Sequence, residues 1–443
     1  MKCHSIARAL ALAFTQSGAV QLQETPDSSS QEQASCSDPS GISFTQITGE
    51  RVYANVNVSD ATEDLSHRDY LMDTTDTCGF LLNDSSILSL LDSNLTKPVY
   101  TGQPQLSSIY GSAAVCVVNQ STFNFDHGAI STFGDRQVGV WSHGLNTTVH
   151  LTEVSIENKN STMAFGLVAE REAVLLADLV EYSSDSIGIC AFVADGGEIT
   201  IHESVAHSRG QQSCIFCSLG GGDALGQIHS QHVIGISEKG PAVVLSGNTW
   251  LAAFTNTTFI ADGPVMTSTK LGSSLLNDTV LRVTSSSLTA TNPSHAVLLF
   301  TLKDIDAIFY RSELIPSASN VLLQVACSGA AQAGDCNPFR AMDPAFLTWK
   351  LSSYTTWAGA ITSSNSSSIS GSSPVNLLID NTSRWNVTKE SWVQALASAQ
   401  GDLSNVFVAE AGVVVHYNGS HVLNKYLEGK MVELQGGGSA QPY

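Results

Sequence analysis

The sequence predicts an all-β fold, a right-handed parallel β-helix (solenoid) with an N-terminal cap, on three observations. One short phrase is written three times: Gln137-Val-Gly-Val-Trp-Ser, Ala164-Phe-Gly-Leu-Val-Ala and Ser186-Ile-Gly-Ile-Cys-Ala. The copies stand about 25 residues apart, the kind of period that marks stacked supersecondary units. Each copy is followed by a second alternating segment, such as Val149-His-Leu-Thr-Glu-Val-Ser-Ile156, the period-2 pattern of a half-buried strand. Charged residues make up only 14% of the chain, and abundant Ser, Thr, Gly and Asn suit strands and turns better than helices.

In chain order, residues 1–19 read as a signal peptide. A basic start leads into the apolar run Ala9 to Phe14 and then small residues through Ala19, the layout of a secretory signal. Residues 20–41, rich in Gln, Ser, Glu and Pro, read as a flexible leader. Residues 42–110 are irregular, with short apolar segments at Phe80-Leu-Leu and Ile87-Leu-Ser-Leu-Leu91. They are expected to cap the first turn, whose strand edge would otherwise be open. Residues 111–410 hold the stacked turns. They begin at Ser112-Ala-Ala-Val-Cys-Val-Val118 and continue past the three phrases through Cys214-Ile-Phe-Cys217, Ala242-Val-Val-Leu245, Val265-Met-Thr-Ser268 and Ala296-Val-Leu-Leu299. Residues 411–443 are expected to form a last strand and a tail disordered at its end.

Forty acidic residues against twenty Lys and Arg give a net charge of −20. That balance excludes nucleic acid and anionic membrane surfaces as partners, since both need a basic footprint. No stretch offers the roughly 18 unbroken apolar residues of a spanning helix. Asn-X-Ser/Thr sequons at Asn57, Asn83, Asn94, Asn119, Asn146, Asn160, Asn256, Asn277, Asn365, Asn381, Asn386 and Asn418 point to a glycosylated chain in the secretory pathway or outside the cell. Cys3 leaves with the signal, and the eight cysteines that remain suit disulfides in an exported protein.

Strict alternation turns Gly139 and Trp141 outward and Val138 and Val140 inward. Carried down the stack, it puts Trp141, Val168, Cys190, Cys217, Leu245, Ser268 and Leu299 in one outward column. Turns lie about 4.8 Å apart, within reach of a disulfide, so Cys190–Cys217 is expected as a cross-turn bond. The spacing of Cys327 and Cys336 suggests a local disulfide loop. Two positions on, the same face carries His143, Glu170, Phe192, Leu219 and Lys270. Three readings of this apolar column stay open: a covered face, a groove for an apolar ligand or for further copies of the chain, or a register one residue out.

Motifs with chemistry are mostly absent. No Gly-x-Ser-x-Gly elbow, phosphate loop or His-Glu-x-x-His phrase occurs, and the carboxylate phrases of polygalacturonases are missing. His202, His207, His229 and His232 lie on neighbouring turns and could converge, but no ligands stand at fixed offsets; neither a metal nor a cofactor is expected. The function classes are therefore a structural or adhesive β-helix, a polysaccharide lyase or hydrolase, and a third reading that rests on likeness.

Ser383-Arg-Trp-Asn-Val-Thr-Lys-Glu-Ser-Trp-Val-Gln-Ala-Leu resembles the closing turns of bacterial adhesin and autotransporter-passenger β-helices, a likeness of fold. In whole-chain character and in phrases such as Gln137-Val-Gly-Val-Trp-Ser, the chain resembles the fungal hetero-Diels–Alderases of tropolone sesquiterpenoid pathways. That resemblance implies joining a tropolone quinone methide, formed by loss of water, to a humulene-type alkene. The partners would be apolar terpenoid and tropolone small molecules. Such a catalyst needs a dry apolar pocket and a donor or two. On the outward column the expected walls are Trp141, Phe192 and Leu245, with His143 and Lys270 as donors.

Overall fold

The computed structural model describes residues 43–47, 50–72, 77–98, 112–161, 164–188, 190–219, 224–246, 249–269, 279–300, 305–325, 347–363 and 375–443. The expected signal and leader lie outside these residues, as do Lys270, Cys327, Cys336, Asn277 and Asn365.

Within them the chain winds into a parallel β-solenoid of about 12 turns. A representative turn has three strands, Phe165–Glu170, Val174–Asp178 and Glu181–Ser184, before Cys190–Asp195 opens the next. First strands stack into one 13-stranded sheet, the front sheet. Second and third strands form two further ladders. Early in the stack these ladders share strands: Thr148–Lys159 pairs with Val174–Asp178 along its first half and with Glu181–Ser184 along its second. The bend between the two ladders is made by one left-handed residue per turn, including Asp92, His127, Glu153, Leu179, Glu203, His232 and Asn256. Non-glycine residues enter that region at a cost, which the stack meets by repeating the same backbone geometry turn after turn.

Alternation fails once per turn in the front sheet. Two consecutive residues face the lumen, as in Ala114–Val115, Ile215–Phe216 and Ala242–Val243. The backbone records the same kink: the Ala242 carbonyl accepts from both Ile215 N and Phe216 N, each at 2.9 Å. Gly139 and Gly166 take the first of these two places because a side chain there would strike the next turn. A Cβ on Gly166 would lie 2.5 Å from the Ala191 carbonyl oxygen.

The lumen is filled by stacked apolar side chains. Phe192 and Phe216 lie 5.1 Å apart between ring centroids, and lower down Trp357 and Trp385 are fully buried in register with each other. Each such side chain contributes about 1.5–3 kcal/mol by leaving water. Buried Ser and Thr line a corner, where Ser161 N donates to Ser186 Oγ and Thr257 N to Ser286 Oγ, at 3.1 and 3.0 Å. The hydroxyl-rich composition thus satisfies backbone donors that no strand can reach.

Both ends differ from the sequence expectation. Parallel stacking begins inside the segment assigned to the cap, since Glu50–Ser59 pairs with Cys78–Asn83 and that strand with Ala113–Val118. Its polar side chains hid the period, and among the described residues the antiparallel strand Ser43–Ile47 closes the edge. At the other end the tail is ordered. Ser439–Pro442 pairs in parallel with Val414–Tyr417 and antiparallel with Val432–Glu433, and Ala440 is fully buried. Its glycines make turns there: Gly436 and Gly437 have positive φ.

Candidate functional site: a buried His–Glu–Trp cluster on the front sheet

The kink resets which residues face out. One outward column runs Ala113, Val138, Phe165, Cys190 and Cys214. The next runs Cys116, Trp141, Val168, Val193, Cys217 and Val244. A third carries Val118, His143 and Glu170, with Asp195 one residue past the Ala169–Ala194 pair.

Several expectations are corrected by this register. Trp141 and His143 do face out, but Val138 faces out as well. Phe192 and Leu245 point into the lumen, so neither can wall an outer site. Cys190 pairs in register with Phe165 and Cys214, while Cys217 pairs with Val193. The bonds formed are Cys190–Cys214, with Cα atoms 4.4 Å apart, and Cys78–Cys116, at 5.8 Å; Cys190–Cys217 is not formed. Cys217 is a buried free thiol. Burial, and then the charge of Asp195, pushes its pKa well above the ordinary thiol value.

The outer face is covered. Val138, Val168, Val193, Cys217 and Val244 have no solvent exposure and belong to a second apolar cluster, separate from the lumen. At its edge sits the polar cluster. Trp141 Nε1 donates to Glu170 Oε2 at 2.9 Å. His143 Nδ1 lies 3.2 Å from the same oxygen but out of line for a hydrogen bond. Arg171 Nε approaches the other carboxylate oxygen at 3.7 Å. His143 and Glu170 retain 8% and 6% exposure, against 2% for Trp141 and 3% for Leu219.

The indole fixes the carboxylate's direction, and a carboxylate held this close can stabilise positive charge that develops on the imidazole. Sequence reasoning placed Glu170 on the face without a role, and it missed Arg171 and Asp195. The signal was present in the column: carboxylates on two successive turns beside a histidine.

The other histidines separate into pairs with acids. His207 Nε2 meets Glu238 at 2.6 Å and His229 Nε2 lies 3.9 Å from Glu198; only His202 and His232 come together, with ring centroids 5.6 Å apart. Among the described sequons, Asn57, Asn94, Asn119, Asn146, Asn160, Asn256 and Asn381 are exposed and Asn386 and Asn418 half-buried. Asn83 is buried, and its amide is engaged by Asp84 and Asn119.

No protein-family model matches the chain, and no curated protein or solved structure matches it either.

Proposed function

We propose that this chain is an exported, glycosylated β-helix catalyst of the hetero-Diels–Alderase type, acting on an apolar terpenoid alkene and a tropolone. The observation that supports the reading is the His143–Glu170–Trp141 cluster, polar groups at the partly open edge of a covered apolar face. Of the expected pocket, Trp141 and His143 take part, joined by Glu170; Phe192 and Leu245 point into the lumen, Val168 and Val193 are fully covered, and Lys270 lies outside the described residues.

Generating the quinone methide requires an acid–base step. His143 takes the tropolone hydroxyl proton and returns it to the departing hydroxide of the neighbouring carbinol. One C–O bond breaks, one water leaves, and the imidazole ends unchanged. Glu170 stabilises the imidazolium formed between the two transfers. Cycloaddition then forms one C–C and one C–O bond with no atom lost, and needs mainly alignment and exclusion of water.

The test is to incubate the purified chain with a hydroxymethyl tropolone and a humulene-type alkene and to resolve the adducts by chiral chromatography. A single enantiomer formed faster than in buffer supports the proposal, as does loss of that acceleration by about 10²-fold in His143→Ala and Glu170→Gln. Racemic adduct at the uncatalysed rate refutes it. Binding to cells or glycans without turnover would instead favour the adhesive reading.

A further inference from the structure

The left-handed corner carries a side-chain cluster that the outer-face site does not use. His202 ends the strand Glu198–His202, Glu203 occupies the corner itself, and His232 occupies the same corner one turn later. One ligand atom from each lies within 4.8 Å of the other two. His202 Nδ1 donates to Asp178 Oδ1 at 2.8 Å, from the preceding turn. That bond fixes the tautomer and leaves Nε2, which faces Glu203 Oε1 at 3.8 Å, as the ring's free lone pair.

A carboxylate behind an imidazole whose other nitrogen meets further ligands is the arrangement that orients metal-bound histidines. We propose that His202, Glu203 and His232 bind one late first-row divalent cation, with Zn²⁺ the reference ion, and that the ion clamps two successive turns together. Two nitrogens and one carboxylate form a zinc donor set that leaves a fourth position open to water. They do not suit Ca²⁺ or Mg²⁺, which prefer oxygen ligands throughout. Tetrahedral zinc wants its ligand atoms about 3.4 Å apart, so the three side chains close by about an ångström on binding. Their exposure permits this: Glu203 and His232 are exposed and His202 half-buried, and the stacked corner backbone need not move. Asn256, one turn further, lies 3.1 Å from His232 Nε2 and can turn its amide to accept from that ring.

The experiment uses the full chain made without a histidine tag in the bacterial periplasm, where disulfides form and Asn256 stays unglycosylated. Zn²⁺ titrated by calorimetry is expected to bind one ion per chain and to raise the melting temperature. His202→Ala and His232→Ala should each weaken binding at least ten-fold and abolish the thermal shift. Asp178→Asn removes no ligand yet should weaken binding about ten-fold or more, which incidental surface histidines would not do. His207→Ala, in a separate pair with Glu238, should change nothing. Wild-type affinity in His232→Ala, unchanged affinity in Asp178→Asn, or displacement by equimolar Ca²⁺ would each overturn the proposal.

Discussion

Replacing Cys190 and replacing Cys214 should have unequal consequences, although each removes half of the same disulfide. Cys190 stands beside Cys214 on the next turn. It also stands diagonal to Cys217, whose register partner is Val193, three residues past Cys190. Cys78 has the same diagonal relation to Cys116, whose register partner is Leu81, and that diagonal pair is bonded. In Cys214→Ala, therefore, Cys190 can bond Cys217 with the geometry already used between Cys78 and Cys116. In Cys190→Ala the remaining pair is Cys214 and Cys217, whose sulfurs lie within 4.8 Å, but a bond inside one strand closes a loop of three residues' separation and contributes only about 2 kcal/mol. Closing a loop of 24 residues' separation contributes about 3.5 kcal/mol by chain entropy, and the diagonal loop contributes about the same. Cys190→Ala should lose about 1.5 kcal/mol or more, whereas Cys214→Ala should stay within about 1 kcal/mol of the parent. Both truncations fall in the same buried column, so their packing costs largely cancel in the comparison. Non-reducing urea denaturation gives the difference, and peptide mapping identifies the bond. Free thiols at both Cys190 and Cys217 in Cys214→Ala, or equal midpoints for the two variants, would refute the reasoning.

Three further outcomes follow from the same register. Cys217 should resist iodoacetamide in the folded chain and react on unfolding, because burial and the charge of Asp195 hold its thiol protonated; mass spectrometry before and after denaturant reads this directly. Gly166→Ala should cost about 3 kcal/mol, as its Cβ meets backbone 2.5 Å away, whereas Gly188→Ala meets open space and should cost only the roughly 1 kcal/mol of its left-handed φ. For Asp380, burial pushes the carboxyl pKa up, but hydrogen bonds from Ser353 N, Thr382 N and Ser383 N outweigh it and hold the group below the usual range. The folded form therefore favours the ionised group; its stabilisation is present above the ordinary carboxylate range and is lost as pH falls through the lower folded value. Asp380→Asn should flatten the acid side of the melting profile.

Much of the architecture was legible because the front strand repeats a glycine where the next turn leaves no room for Cβ, at Gly139 and Gly166. The same letter misled one turn later. Gly188 stands in the same place in its phrase, yet it has positive φ and open space around it. It belongs to the turn before the strand, so aligning phrases by their glycines displaced Cys190 by three residues and produced the wrong disulfide partner. Strict alternation failed for a second reason. Two adjacent inward residues need a carbonyl that accepts twice, as that of Ala242 does, and no residue type announces it. The tail was misread because Gly436-Gly-Gly has the composition of a linker, while its pairing with Val414–Tyr417 depends on a strand edge the sequence cannot display.

The same physics explains why motif scanning found no site. In a solenoid, residues that meet across turns are separated by a full turn of chain, so a functional group is spelled with the period of the fold. His143, Glu170 and Asp195 make an ionisable column, bounded above by Val118 and below by Leu219, though each sits alone in its own segment of sequence. Such a column is sensitive to register in a way that a contiguous motif is not. Trp141 reaches Glu170 only because Val168 is its register partner. A single-residue deletion in the connection between Glu170 and Val174 would leave the Trp141–Glu170 contact in place, because both residues precede it. A deletion between His143 and Thr148 can be absorbed by that loop. A deletion inside Phe165–Glu170, by contrast, must either send Glu170 into the lumen or break the ladder that holds Val168 against Trp141.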